Sequence, residues 1–382
     1  MTTEPSPPPM AGHAPVAPAC PVSSHNEWDP LEEVIVGRLE GATVPSRHIT
    51  VTGLLDRTRR WMYPLVAGGR YSRLFLGPAQ RELDGFIRLL ESQGVVVRRP
   101  DVTDFSRRCG TPDWSSSGFS NANPRDCLLI VGSEIIEAPM AWRSRYFESL
   151  SYHALLRDYA ACGARWTVAP RPRLPDDLYD ARYTPPEPGE PPRYIVNEWE
   201  PVFDAADFIR CGRDLFGIRS NATNRAGIAW LRRHLGPAYQ VHEIETRCRT
   251  PLHIDTTLVP LAEGRLLVNP EFLDVDRLPA ILRRWDILVA PEPDPVTDWR
   301  VRLGSMCSRW LGVNVLSLDA KRVIVEGHQS SLIRALKAFG SEPIPCPFQS
   351  YAPFGGSFHC ATLDVRRRGT LRPYFDSTEP PA

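Results

Sequence analysis

Apolar residues along this chain fall into two recurring patterns, short runs interrupted by a polar turn and longer stretches with helical spacing. CLLIVGSEIIEAP (127–139), TLVPLAEGRLLVNP (257–270) and NVLSLDAKRVIVEG (314–327) each read as apolar strand, short turn, apolar strand, the signature of a β-hairpin. DFIRCGRDLFGIRSN (207–221) is a looser version of the same. Helical periodicity predicts helices over 141–159, 224–236, 274–285 and 330–340, one after each hairpin. A further short strand follows each helix: RWTVAP, YQVHEI, DILVAP and EPIPCP. The unit is therefore ββαβ, four times over.

A fifth unit lacks its first strand. EEVIVG (32–37) is followed by a long insertion, a helix over 79–94 and the strand VVVRRP, and FHCATLDV near the C-terminus can supply what is missing. The predicted fold class is α/β: a ring of five ββαβ modules whose two chain ends meet in one sheet, which leaves no exposed edge there. The pattern alone also admits an ordinary α/β sandwich. Segments 38–78 and 171–201 fit no module and are expected as loop insertions over one face, where substrate lids tend to lie.

Composition narrows the function classes. With 382 residues and 42% hydrophobic content the chain can bury a large core, and its 45 basic and 45 acidic residues cancel. That balance argues against nucleic acid or an anionic membrane as partner. The nine cysteines include no C-x-x-C pair, which speaks against a disulfide framework or a zinc site and for a reducing, cytoplasmic setting. Residues 1–24, rich in proline and alanine and without a basic or apolar signal region, are expected to form a disordered tail. One domain is expected over 25–376, with a short tail over 377–382. No apolar run reaches membrane-spanning length.

The stretch GGSFHCATLDVRRRG (355–369) sets Cys360 after a small-residue turn, at the start of the strand expected to close the ring. A thiol so placed is core filler unless a base or cation activates it. His359 precedes Cys360 in that strand, so alternation is expected to turn the two side chains to opposite faces. The base must then come from elsewhere. In LHIDTT (252–257), His253 and Asp255 share a parity. Asp204 and Asp207 precede the third module's first strand and Asp126 the second's. Each aspartate alone reads equally well as a turn or cap residue. Together, carboxylates around a cysteine and a histidine call for a cationic substrate, and a guanidinium matches them in bidentate pairs. The run Arg366–Arg368 is expected to be paired with acids or solvated rather than to bind phosphate.

These motifs, with EPVFDAADFIRCGRD, NPRDCLLIVGSEIIEAPMAWRSR and SHNEWDPLEEVIVG, together resemble the amidinotransferases over about Ser24 to Phe375. The resemblance implies the pentein fold, a five-bladed α/β propeller that matches the ring above, and a homodimer. It implies ping-pong transfer of the amidino group of L-arginine through a covalent amidino-cysteine to an amine, with ornithine released, as in bacterial natural-product pathways. Carried over by motif, Cys360 is the nucleophile, His253 the general acid/base and Asp204 its partner. Asp126 and Asp255 bind the guanidinium or the substrate amine, and Cys307, Ser308, Thr250 and Leu252 line the substrate pocket. No metal or organic cofactor is implied. Cys307 stands where serine is expected, Phe272 where the animal glycine enzymes carry arginine, and Thr250 and Leu252 where asparagine and methionine are expected. These departures bear on the acceptor (glycine, another amino acid or an aminocyclitol), not on the chemistry. An arginine deiminase-like hydrolase and a non-catalytic ring scaffold are the competing readings.

Overall fold

The computed structural model describes residues 20–375. Five three-stranded sheets are present, and in each the central strand runs antiparallel to one neighbour and parallel to the other. Four are sequential modules: Leu128–Val131, Glu134–Glu137 and Arg165–Val168; Phe208–Cys211, Asp214–Ile218 and Gln240–Ile244; Leu258–Ala262, Arg265–Val268 and Asp286–Val289; Leu316–Ser317, Arg322–Glu326 and Glu342–Cys346. The fifth pairs Leu31–Val36 with Val96–Arg98 on one side and with the C-terminal strand Thr362–Arg367 on the other. The ring therefore closes as the hydrophobic pattern predicts. A small extra hairpin, Arg108–Gly110 with Ser115–Ser117, was not foreseen.

Helices cover the modules where apolar spacing gives them a face to bury. Arg73–Ser92 buries Ala79, Leu83, Phe86 and Leu90 on one stripe, the spacing of an amphipathic helix. Arg225–Leu235 starts at Asn224, whose side chain accepts from the Gly227 amide at 2.8 Å, an N-cap that satisfies one free donor. Two predicted helices need correction. Of 141–159 only the part from His153 onward is α-helical, in a helix His153–Ala161; the preceding residues form the 3-10 turns Arg143–Arg145 and Glu148–Tyr152. Within 274–285 there are just two 3-10 turns, Val275–Arg277 and Leu282–Arg284. Pro279 sits between them without an amide to donate.

The chain ends are also more engaged than expected. Of the proposed 1–24 tail, residues 20–24 pack into the ring: Val22 and Ser24 are fully buried, and Ser24 bridges Gly132. Residues 1–19 and 376–382 lie outside the described residues. The incoming segment delivers Glu27 to a buried ion cluster in which Arg210 binds Glu27 at 2.8 Å and Asp364 at 3.0 Å, and Arg125 binds Asp364 at 2.6 Å. Arg367 joins at 2.8 Å from Asp364, while Arg368 pairs with Glu32 at 2.7 Å and Arg366 donates to the Cys20 carbonyl. The C-terminal arginine run is thus spent on structure.

Candidate active site

The nucleophile candidate sits in a turn rather than in a strand. The closing strand begins at Thr362, so Cys360 lies two residues before it. Gly355, at φ +93°, turns the chain there, a conformation that favours glycine. A Cβ on Gly356 would stand 2.5 Å from the Cys360 Cβ and 2.7 Å from Asn123 Oδ1. The paired glycines thus leave room for the thiol itself. Asn314 fastens the turn: its Oδ1 accepts from the His359 and Cys360 amides at 3.0 and 3.2 Å, and its Nδ2 donates to Cys360 Sγ at 3.2 Å.

His253 and Asp255 come from the loop entering the fourth hairpin. They do not lie on a strand as parity assumed. His253 has φ 62°, one of two non-glycine residues with positive φ among those described, and Ile254–Thr256 is a 3-10 turn. The Asp207 Oδ1 accepts from the His253 amide at 3.0 Å, which holds this strained backbone (~1–3 kcal/mol) in place. Asp207 is fixed in turn by the Ser220 hydroxyl at 2.6 Å and by the Thr223 hydroxyl.

Side chains from separate modules then converge. His253 Nε2 donates to Asp204 Oδ2 at 3.0 Å, and its Nδ1 lies 3.6 Å from Asp126 Oδ1. Cys360 Sγ lies 3.2 Å from Asp255 Oδ2. One donor-type atom each of Asp126, His253 and Cys360 falls within 4.8 Å of the others. Arg145, from the 3-10 turn, donates to Asp126 Oδ2 and Glu148 Oε2, both at 2.9 Å. All five carboxylates named here, Asp126, Glu148, Asp204, Asp207 and Asp255, are buried. The Oδ1 atoms of Asp126, Asp204 and Asp255 have no hydrogen-bond partner among the described residues. An unmet buried acceptor is costly, and of these three aspartates Asp255 lines the cavity beside Cys360 and His253, where a cation rich in N–H groups would satisfy it.

The electrostatics agree. Burial, then the Asp255 and Asp126 carboxylates, push the Cys360 thiol well above its ordinary value. Burial alone would lower His253, but Asp126, Asp204 and Asp207 raise it to about 10. Burial raises Asp207 and Glu148 to about 7 each. These surroundings therefore favour the neutral thiol at Cys360 and the charged ring at His253.

Cys360, His253 and Asp255 open onto a cavity of about 1280 Å³. Thr250, Leu252, Cys307 and Ser308 line it, as expected from sequence, and so does Phe272. Both insertions contribute wall: Leu54, Leu55, Asp56 and Arg59 from the first, and Pro185–Glu190, Pro192 and Tyr194 from the second. Burial, then neighbouring carboxylates, raise the Cys307 thiol to about 12. Asp204 stands behind His253 and is fully buried.

Four participants were missed or set aside in the sequence. Strand alternation puts His359 on the opposite face, yet its Nδ1 lies 2.8 Å from the same Asp255 Oδ2 that Cys360 meets. Strand alternation does not apply inside a turn. Asn314, Arg145 and Glu148 gave no signal beyond being polar residues next to apolar runs.

No protein-family model matches the chain. Sequence comparison is decisive instead: it is 46% identical over 355 residues to the L-arginine:L-lysine amidinotransferase of Pseudomonas savastanoi pv. phaseolicola, covering 93% of this chain and 97% of that one. The chain belongs to the amidinotransferase family. It is also 42% identical over 374 residues to the mitochondrial glycine amidinotransferase of Gallus gallus, covering 95% of this chain and 87% of the relative. Among solved structures, SxtG, an amidinotransferase from Microseira wollei in the saxitoxin biosynthetic pathway, superposes with TM-score 0.90 at 53% identity, covering 93% of this chain and all of the other. The five-module pentein propeller is the fold of this family, as the sequence implied. This amidinotransferase is an enzyme of amidino-group transfer between small molecules. Among its described residues no helix is long and apolar enough to cross a membrane.

Proposed function

We propose that this amidinotransferase carries the amidino group of L-arginine on Cys360 and delivers it to a primary amine. The observation that supports this most is the pair of unpartnered Oδ1 atoms on Asp126 and Asp255 beside Cys360 Sγ and His253. Guanidinium N–H groups satisfy those oxygens and fix the planar cation, leaving its central carbon open to sulfur. The arriving positive charge also offsets the acids that hold the thiol protonated, so Cys360 gives up its proton to solvent as the substrate cation binds.

The thiolate adds to the guanidinium carbon and gives a neutral tetrahedral adduct. The His253 imidazolium protonates the bridging nitrogen, the carbon–nitrogen bond breaks, ornithine leaves, and an amidino-cysteine cation and neutral imidazole remain. An incoming amine, as its free base, attacks the same carbon while His253 takes the proton its nitrogen sheds; the neutral adduct then collapses to the new guanidinium and the Cys360 thiolate. Asp204 orients the ring and stabilises its charged form.

The acceptor is glycine, another amino acid or an aminocyclitol, in bacterial natural-product biosynthesis. Relatives named for lysine and glycine as well as arginine support an amino-acid acceptor. Phe272, buried among Trp310, Val313 and their neighbours, offers no charge to an amino acid's carboxylate. A single domain that takes in residues 20–24, a homodimer and a cytoplasmic location complete the reading, the last supported by nine unpaired cysteines.

Incubation with arginine, then with hydroxylamine or glycine, tests it. Ornithine plus a new guanidine is expected. Citrulline plus ammonia would mean a hydrolase, and no turnover would mean a scaffold.

A further inference from the structure

The residue that strand alternation set aside bridges two buried carboxylates next to the thiol. His359 is buried and each of its ring nitrogens faces a carboxylate: Nδ1 stands 2.8 Å from Asp255 Oδ2, and Nε2 stands 3.3 Å from Glu27 Oε2. Both acids are held below their ordinary range. Opposing its burial, His359 and His253 lower Asp255, and Arg210 and Arg125 lower Glu27. Ionised carboxylates only accept hydrogen bonds. A ring bearing one proton would aim a lone pair at one of them, so donation from both nitrogens is the arrangement that satisfies both.

Glu27 is itself anchored, because Arg210 donates to both of its oxygens at 2.8 and 2.9 Å and Arg125 stands 3.3 Å away. A continuous chain therefore runs from the buried ion cluster through Glu27 and His359 to Asp255, and ends at Cys360 Sγ.

We propose that His359 is a positioning residue for amidino transfer: it ties Asp255 to the ring's ion cluster so that one carboxylate oxygen meets Cys360 while the other stays free for the guanidinium. Asp255 Oδ2 is occupied by His359 and Cys360, and Oδ1 has no partner among the described residues. Without the Nδ1 donor the carboxylate is free to rotate, and its two oxygens exchange roles. This rests on the reading of Asp255 and Cys360 given above.

Two substitutions separate positioning from bulk. An asparagine amide reaches about where Nδ1 lies and a glutamine amide about where Nε2 lies. His359→Asn keeps the donor to Asp255 and drops the one to Glu27; His359→Gln does the reverse. In ornithine–arginine exchange, His359→Gln is expected to lower kcat by roughly tenfold to a hundredfold, the range for losing a group that orients a reacting residue, with a smaller change in arginine KM. His359→Asn should recover most of that loss although both variants unfold at similar temperatures. Equal rates in the two variants, or a faster glutamine variant, would overturn the proposal.

Spectra of wild-type protein labelled with 15N-histidine provide a reading that survives if neither variant folds. Two protonated nitrogens are expected for His359, and a bare Nδ1 would contradict the idea. These spectra need no turnover, so they decide on His359 even if the wild-type protein exchanges nothing, the result that instead would defeat the functional reading.

Discussion

At the scale of single residues, Cys360 is kept where a thiolate is disfavoured, and His253 is kept where its own charge is favoured. Those opposite settings come from the same acids. Asp204 contacts the ring at 3.0 Å, so Asp204→Asn should reduce kcat by about 10²–10⁴-fold, as loss of a histidine-orienting carboxylate does; an unchanged rate in steady-state assays would remove that role. The charge on His253 also links to stability. Its ring is raised from the ordinary 6.5 to about 10, so the folded state binds a proton there that the unfolded chain releases near pH 6.5. The stabilisation is complete below pH 6.5 and is lost as pH rises towards 10. Denaturant unfolding across that window should show wild type losing more stability than His253→Asn; parallel curves would contradict the shift. Cys360, His253, Asp204, Asp126 and Asp255 could be picked out of the sequence because they sit in long motifs. Asn314, Arg145 and His359 could not, because their meaning lies in partners 45 or more positions away in the chain for Asn314 and His359, and in a local 3-10 turn read as helix for Arg145.

Elements carry the next level of design. The hairpins were legible because their strands are mostly buried on both faces and read as apolar runs, as Leu128–Val131 and Leu258–Ala262 do, whereas third strands such as Arg165–Val168 and Asp286–Val289 are more exposed. Helices were less so. Residues 274–285 keep the apolar spacing of a helix, with Leu278, Leu282 and Trp285 buried, yet Pro279 makes them two turns. Cys360 was expected in a strand, and its position in a turn is what brings His359 to the site. That turn has a strict volume limit. Gly356→Ala should abolish exchange because the new methyl collides with the Cys360 Cβ, at a stability cost of about 1–3 kcal/mol. A folded Gly356→Ala protein with full activity in the exchange assay would show the turn to be looser than described.

Across the whole molecule, the ring is joined near its centre by ions rather than by apolar packing alone. Arg210, 2% exposed, is shared by Glu27 from the N-terminal segment and Asp364 from the closing strand. Arg210→Met leaves both acids buried without it, so chemical denaturation should show a loss of about 3–5 kcal/mol. Arg368→Ala, which breaks an exposed pair with Glu32, should leave the unfolding midpoint unchanged; equal losses would deny the cluster its role. The same closure brings Cys360 from the last module towards Asp126 and His253 from earlier ones, so the fold and the site share one geometry. The most direct test is intact-mass and peptide mapping of protein quenched after brief exposure to L-arginine without an acceptor amine. One added amidino group on Cys360, lost when an amine is supplied, is the expected result; an unmodified Cys360 while ornithine forms, or an adduct on another residue such as Cys307, would contradict it.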